Sequence, residues 1–511
     1  MLLSVLLCLT LGFAGCGSDS DSGRLPTDRW QAGVFQPADN FVNQCQAPRS
    51  GTDPSTGGPF PDQQGTGLDE RNFLRSWSNE TYLWYDEIID RNPANYETPE
   101  YFDLLKTDAT TPSGNPKDQF HFSIPTDQWQ SQSQSGVSVG YGATWVLLKA
   151  TPPRELIVAY VEPGSPAASG DANLRRGDRV VAIDGVRLED GDDVGTLNAG
   201  LSPSQQGETH EFTVRDVDGN LRPSFSMSAD NITQSPVLEV ATLSSGEVGY
   251  ILFNDHIATA EAQLIDAITQ LHDAGIEDLV LDVRYNGGGF LAIASQLAYM
   301  IAGPTNIAGR EFETLTFNDK RTDENVVIPF VNETVGLSVP EFQPLPTLGL
   351  SRVFVLTGPG TCSASESIMN GLRGVDVEVI QIGSTTCGKP YGFYPQDNCG
   401  TTYFTVQFRG ENAKGFGDYP DGFSPEDQVS NAGVPIPGCS IGDDFTNELG
   451  DPDEARLAAA LQYRNSSSCS LTPSSFGQFT FSASLASPST LSAIDGRVLK
   501  SRGLQGRLMH Q

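Results

Sequence analysis

Apolar positions along the chain gather into short runs, each bounded by glycine, proline or aspartate. Val248 to Phe253, Asp278 to Arg284, Val353 to Leu356 and Val377 to Ile382 predict buried strands. Between them, Phe290 to Ile301 and Ala364 to Leu372 have the length and composition of helices, and Pro452 to Tyr463 predicts a terminal helix. Strands alternating with helices make the region β-α-β in character. Leu68 to about Tyr101 repeats with helical period, and its aromatics Phe73, Trp77, Tyr82, Trp84 and Tyr85 read as a core stripe. Around Gly177-Asp178 a turn leads into the alternating strand Arg179 to Ile183 and then the hairpin turn Asp184-Gly185. The chain thus reads as a multidomain α/β protein: a helical region over 68–135, a β-rich domain over 136–235 and a larger α/β core over 236–465. The segment 17–67, rich in Gly, Ser, Pro, Asp and Gln, reads as a flexible tether, and 466–511, Ser-rich and then basic, as a flexible tail.

Composition narrows the setting. The chain has 511 residues and a net charge of 31 minus 64, or −33, which disfavours nucleic acid and anionic headgroups as partners. Five scattered histidines form no metal-ligand pattern, so no metal or cofactor is expected. Asp255-His256 is open to a Ser-His-Asp reading, though His256 reads better as a polar residue closing a strand. Leu2 to Ala14 is a 13-residue apolar run, short for a membrane span, and Ala14-Gly15-Cys16 has the shape of a lipoprotein cleavage site with Cys16 lipidated. Residues 1–16 therefore read as a signal peptide. Gly17 after Cys16 favours the outer membrane of a bacterial envelope, with the chain facing the periplasm. Export leaves six cysteines in an oxidising compartment. Cys387 and Cys399 flank a hairpin-like loop, and Cys439 and Cys469 flank the terminal helix. These two disulfides are expected, with Cys45 and Cys362 unassigned.

The candidate chemistry lies in three segments. Thr361-Cys362-Ser363-Ala364-Ser365-Glu366 stands at a strand-to-helix turn, where unpaired helix N–H groups can stabilise an oxyanion. Gly388-Lys389 follows the next strand. A serine and a lysine so placed can act as nucleophile and base, provided the lysine amine can lose its proton. Asn286-Gly287-Gly288-Gly289 follows the earlier strand, and its glycines allow close backbone approach. Together these segments resemble the C-terminal processing, or tail-specific, serine peptidases. The resemblance implies a crotonase-like core, Ser363 as nucleophile, Lys389 as base, a supporting role for Glu366, and an oxyanion hole from Ala364 with Gly288 or Gly289. Phe393 occupies the place where some members of that family carry a glutamine that orients the lysine.

Pro163 to Ala167 and Leu174 to Val186 resemble a PDZ domain. Val139-Gly140-Tyr141-Gly142 is then the expected loop for a peptide carboxylate, held on backbone N–H groups. The reading is an exported serine endopeptidase acting on protein or peptide substrates with free C-termini. A catalytically weak peptide-binding scaffold of the same fold is the rival. An acyl-thioester enzyme of the crotonase type is disfavoured by export and by the PDZ-like domain.

Overall fold

The computed structural model describes residues 30–428, 433–469 and 507–508. The expected signal peptide with Cys16, and most of the expected tail, lie outside the described residues. Helix α1 (Gly67–Thr81) opens on Thr66, which accepts from the Asp69 amide while Asp69 accepts from the Thr66 amide, a reciprocal cap. Its apolar stripe buries Phe73, Leu74 and Trp77 against Tyr101, Phe102 and Tyr403. Residues 30–67 do not behave as the expected tether. Ala38 and Phe41 are buried on α1, and Cys45 is bonded to Cys399. Their polar composition conceals a few apolar anchors held by a covalent link. The region 68–135 is also not helical throughout: Phe122–Pro125 is a strand paired with Thr401–Phe404, which joins it to the core.

The next domain is a sheet containing Ala143–Lys149, Glu155–Val161, Arg179–Ile183, Thr209–Arg215 and Phe225–Ser228, with one helix, Val194–Leu201. Its interior stacks Trp145, Phe212 and Phe225. Within the expected carboxylate loop, Val139 and Gly140 are strand residues paired with Asn231 and Asp230, and only 141–142 turn. Gly142 has φ +79°, and a Cβ there would lie 2.2 Å from that of Ser165, so only glycine fits.

The core begins with the antiparallel pair β1 (Val237–Leu243) and β2 (Val248–Phe253). It continues through α2 (Ala260–Ala274), β3 (Asp278–Asp282), β4 (Gly289–Phe290) and α3 (Leu291–Ile307). Then come β5 (Arg352–Thr357), α4 (Ala364–Gly374), β6 (Glu378–Gly383), β7 (Tyr391–Gly392), β8 (Gly438–Ser440) and α5 (Ala455–Ser466). The central sheet runs β1-β2-β3-β5-β6-β8, parallel from β2 onward. Alternation across the strands serves two apolar layers. Ile251 and Phe253 face the layer of α2, α3 and α4, while Tyr250 and Leu252 face α5 and the PDZ-like strand residues Ile157 and Ala159. A last two-residue strand, β9 (Arg507–Leu508), pairs in parallel with β4.

The disulfides correct the sequence reading. Cys439–Cys469 forms as expected, but Cys387 bonds to Cys362 and Cys399 to Cys45. Adjacent parallel strands bring the loops after β5 and β6 side by side, with the Cys362 and Cys387 Cα atoms 5.1 Å apart. Cys399 lies beyond β7, next to the segment before α1.

Candidate active site

Three loops meet at the C-terminal ends of β3, β5 and β6, where parallel sheets present their crevices. The loop after β5 carries Ser363. This residue has φ +59° and ψ −113°, a conformation that costs an L-residue about 1–3 kcal/mol. Such a turn carries the chain sharply from strand to helix and isolates the side chain. Ser363 is buried, and its Oγ forms no hydrogen bond with a protein group among the described residues. The next amide, of Ala364, is at the first position of α4, at the positive end of the helix.

The loop after β3 is anchored by Asn286. Its carbonyl accepts from the Cys362 amide and from Ser365 Oγ, both at 3.1 Å, which fixes this loop to the serine turn. Its side-chain oxygen accepts from the Gly288 amide at 2.9 Å and lies 2.9 Å from His256 Nδ1. The Gly288 amide is therefore turned toward Asn286, away from the oxyanion role expected of Gly288 or Gly289. Gly289 has φ +140°, and a Cβ there would lie 2.3 Å from the His256 carbonyl oxygen. Burial drives the His256 imidazole down to about 3, so it is neutral and holds Asn286 in place. Sequence reasoning misses this role, because position 256 shows only a polar residue after a strand.

The loop after β6 carries Lys389. Its Gly388 has φ +81°, and a Cβ there would lie 2.3 Å from the Pro420 carbonyl oxygen. The Cys387 amide donates to the Thr361 carbonyl at 3.0 Å, and the disulfide to Cys362 adds a covalent tie. Glu366 joins all the pieces. One carboxylate oxygen accepts from the Ser363 and Lys389 amides, both at 2.9 Å. The other accepts from the Gly388 amide at 2.9 Å and from Thr386 Oγ1 at 2.5 Å. Burial pushes the Glu366 carboxyl up, and these donors oppose the shift. Lys389 is wholly buried. Its ammonium nitrogen lies 3.9 Å from the centre of the Phe393 ring and 4.8 Å from that of Phe120. An aromatic face therefore stands where the resemblance leads one to look for a glutamine. His121 lies next to Phe120 in sequence but is engaged elsewhere, by the Phe102 carbonyl at 2.7 Å and by Thr405.

Comparisons with known proteins bear on the family and the fold. Residues 247–393 match the family model for peptidase family S41, and residues 157–205 match a PDZ domain. The carboxyl-terminal-processing protease of Picosynechococcus sp. is 28% identical over 234 residues, 44% of this chain and 49% of that protein. Carboxyl-terminal-processing peptidase 1, chloroplastic, of Arabidopsis thaliana is 27% identical over 229 residues, 44% of this chain and 42% of that protein. The chain spans about half the length of the curated relatives it matches. A Bacteroides fragilis NCTC 9343 protein described as an S41 protease has a crystal structure that superposes with TM-score 0.60 at 22% identity. The match covers 78% of this chain and 97% of that one, and shows a shared fold.

Proposed function

We propose that this chain, which carries an S41 peptidase domain and a PDZ domain and is related to carboxyl-terminal-processing proteases, is an exported serine endopeptidase working through a Ser363–Lys389 dyad. The observation that carries the reading is the single Glu366 carboxylate that binds the backbone of both Ser363 and Lys389. In this reading the neutral Lys389 amine takes the Ser363 Oγ proton as the oxygen attacks a peptide carbonyl. The Ala364 and Gly289 amides receive the oxyanion, and the lysine ammonium returns its proton to the leaving amine. Water then repeats the sequence on the acyl-enzyme. General acid–base transfer contributes about 10²- to 10⁴-fold and an oxyanion donor about 10²- to 10³-fold in such reactions.

Substrates in this reading are polypeptides, with the PDZ domain holding their C-terminal carboxylates near Val139 to Gly142. Three disulfides among the described residues support an oxidising compartment, hence export, and Cys16 is the proposed lipid anchor in the bacterial envelope. The aromatic contact of Lys389 with Phe393 favours the second reading, a peptide-binding scaffold, because cation–π contact stabilises the charged amine, which is no base. Incubation with unstructured polypeptides decides between the two. Ser363→Ala and Lys389→Ala should each abolish cleavage while the fold persists, and the double variant should lose no more than either single one. Binding without cleavage by the wild-type chain would establish the scaffold.

A further inference from the structure

The crevice beside the serine turn is bordered by β4 on the glycine loop and by β7 just past Lys389. A strand from far along the chain enters this place. β9 (Arg507–Leu508) pairs in parallel with β4, Gly289 against Arg507 and Phe290 against Leu508. It also lies next to β7. Gly289 is the glycine that the proposed mechanism uses for the oxyanion. An extended segment paired there adds a strand to the cleft edge, the manner in which a polypeptide substrate is held by main-chain hydrogen bonds.

Charge gives independent support. Residues 496–511 carry Arg497, Lys500, Arg502 and Arg507 and no Asp or Glu, in a chain of net charge −33. Burial, with the acids Asp418, Asp118 and Asp421, pushes the hydroxyl of Tyr391 on β7 up to about 12 against the opposing pull of Arg409, so acids outnumber bases around it. A segment of basic composition is electrostatically complementary to acids of this kind.

We infer that the basic segment around Arg507–Leu508 is a built-in occupant of the active-site cleft, seated as a strand on Gly289–Phe290 in the place of a substrate polypeptide and competing with it. The inference deepens the peptidase reading and rests on it for the word substrate, but the docking itself does not. A tethered segment reaches an effective concentration in the millimolar range, so even weak pairing keeps it seated. The strand is held by backbone pairing, so an incoming substrate displaces it by offering a better strand.

The test uses the full chain with Arg507→Pro and Leu508→Pro together, which removes both amide donors and the strand conformation without touching the core. The first readout is hydrogen exchange at the peptide containing Gly289–Phe290. The Gly289 amide should be protected in the wild type and exchange at least about tenfold faster in the double variant, while the Phe290 amide, held by the His256 carbonyl at 2.8 Å, stays protected in both; equal exchange at Gly289 overturns the proposal, whether or not the chain is a peptidase. The second is hydrolysis of a reporter peptide. KM should fall about three- to tenfold in the double variant with kcat unchanged, as expected when a competitor of millimolar effective concentration is removed. A synthetic peptide of residues 496–511, added to that variant, should restore the higher KM, and its effect should weaken as salt rises. Failure of the peptide to compete at millimolar concentration also overturns the proposal. If exchange responds and no chain cleaves anything, the docking stands and the peptidase reading falls.

Discussion

At the scale of single residues the site is a problem of holding two loops to a fraction of an ångström. Ser363 holds φ +59° against its intrinsic preference, and besides the Asn286 carbonyl and the disulfide the turn is held by one carboxylate. Glu366 accepts four donors drawn from both the serine and lysine loops. Replacing it by glutamine keeps the shape, removes the charge, and turns one acceptor into a donor facing N–H groups. Hydrogen bonds to a charged group are worth about 1.5–3 kcal/mol each. Loss of the equivalent of one should lower kcat about 10- to 150-fold, since about 1.4 kcal/mol is a factor of ten. Burial of Ser363 and binding of a C-terminal peptide should be unchanged. A Glu366→Gln chain with wild-type kcat would show that the clamp is structural decoration. Ser363, Glu366 and Lys389 are legible in the sequence because each belongs to a short local motif. His256 and Phe120 are not legible. Their roles depend on which loop folds back against them, and a buried neutral histidine looks in sequence like any polar residue after a strand.

At the scale of elements, parallel strands explain both what the sequence predicts well and what it misses. β2, β3, β5 and β6 are apolar nearly throughout because both faces are covered, and their positions read directly from the runs. Pairing between elements has no such local trace. Pairing Cys387 with Cys399 follows from nearness in sequence, yet Cys399 finds Cys45 at a separation of 354 residues and Cys387 finds Cys362 across two neighbouring strands. The corrected pairing moves the disulfide into the active site. It joins the residue before Ser363 to the residue two before Lys389. Closing a loop of 25 residues restricts the unfolded chain by about 3.5 kcal/mol. Cys362→Ala with Cys387→Ala should therefore lower the denaturant stability of the core by about 2–4 kcal/mol and also lower kcat. Cys45→Ala with Cys399→Ala should cost stability alone. Differential scanning calorimetry with matched kinetics separates the two pairs, and equal kcat losses from both would remove any special role for the link at the site.

At the scale of the whole molecule, the PDZ domain and the core are joined through buried charge close to the glycine loop. Arg176 of the PDZ domain donates to Tyr285 Oη and to Asp443 Oδ1, both at 2.7 Å, and to the carbonyls of Ala159, Asp444 and Asn447. Tyr285 immediately precedes Asn286. Arg284 forks onto Glu454 at 2.7 and 2.9 Å and reaches Asp443 at 2.9 Å. Burial opposes the charge on Asp443, but Arg456, Arg176 and Arg284 outweigh it and hold the carboxyl well below the usual carboxylate range. Removing one member leaves the others buried and unbalanced, which costs about 3–5 kcal/mol. Arg176→Met should therefore lower the melting temperature of the core and, by loosening Tyr285, lower peptide hydrolysis. Adding Asp443→Asn should restore part of the loss, because the pair acts as a unit. The sign of the pH dependence is fixed by the depressed pKa. Stability from this carboxylate is present above the unfolded value near 3.9 and is lost only as pH falls toward the folded one. The cost of Arg176→Met should then be the same at pH 5 and pH 8. The buried histidines behave differently: His121 is held down to about 4 and His256 to about 3, so below about pH 6.5 the unfolded chain takes up protons that the folded chain refuses. Wild type and Arg176→Met should both lose stability on acidification from pH 6.5 to 5, with parallel slopes. Divergent slopes over that interval would mean that Arg176 is coupled to a group titrating there in one of the two chains.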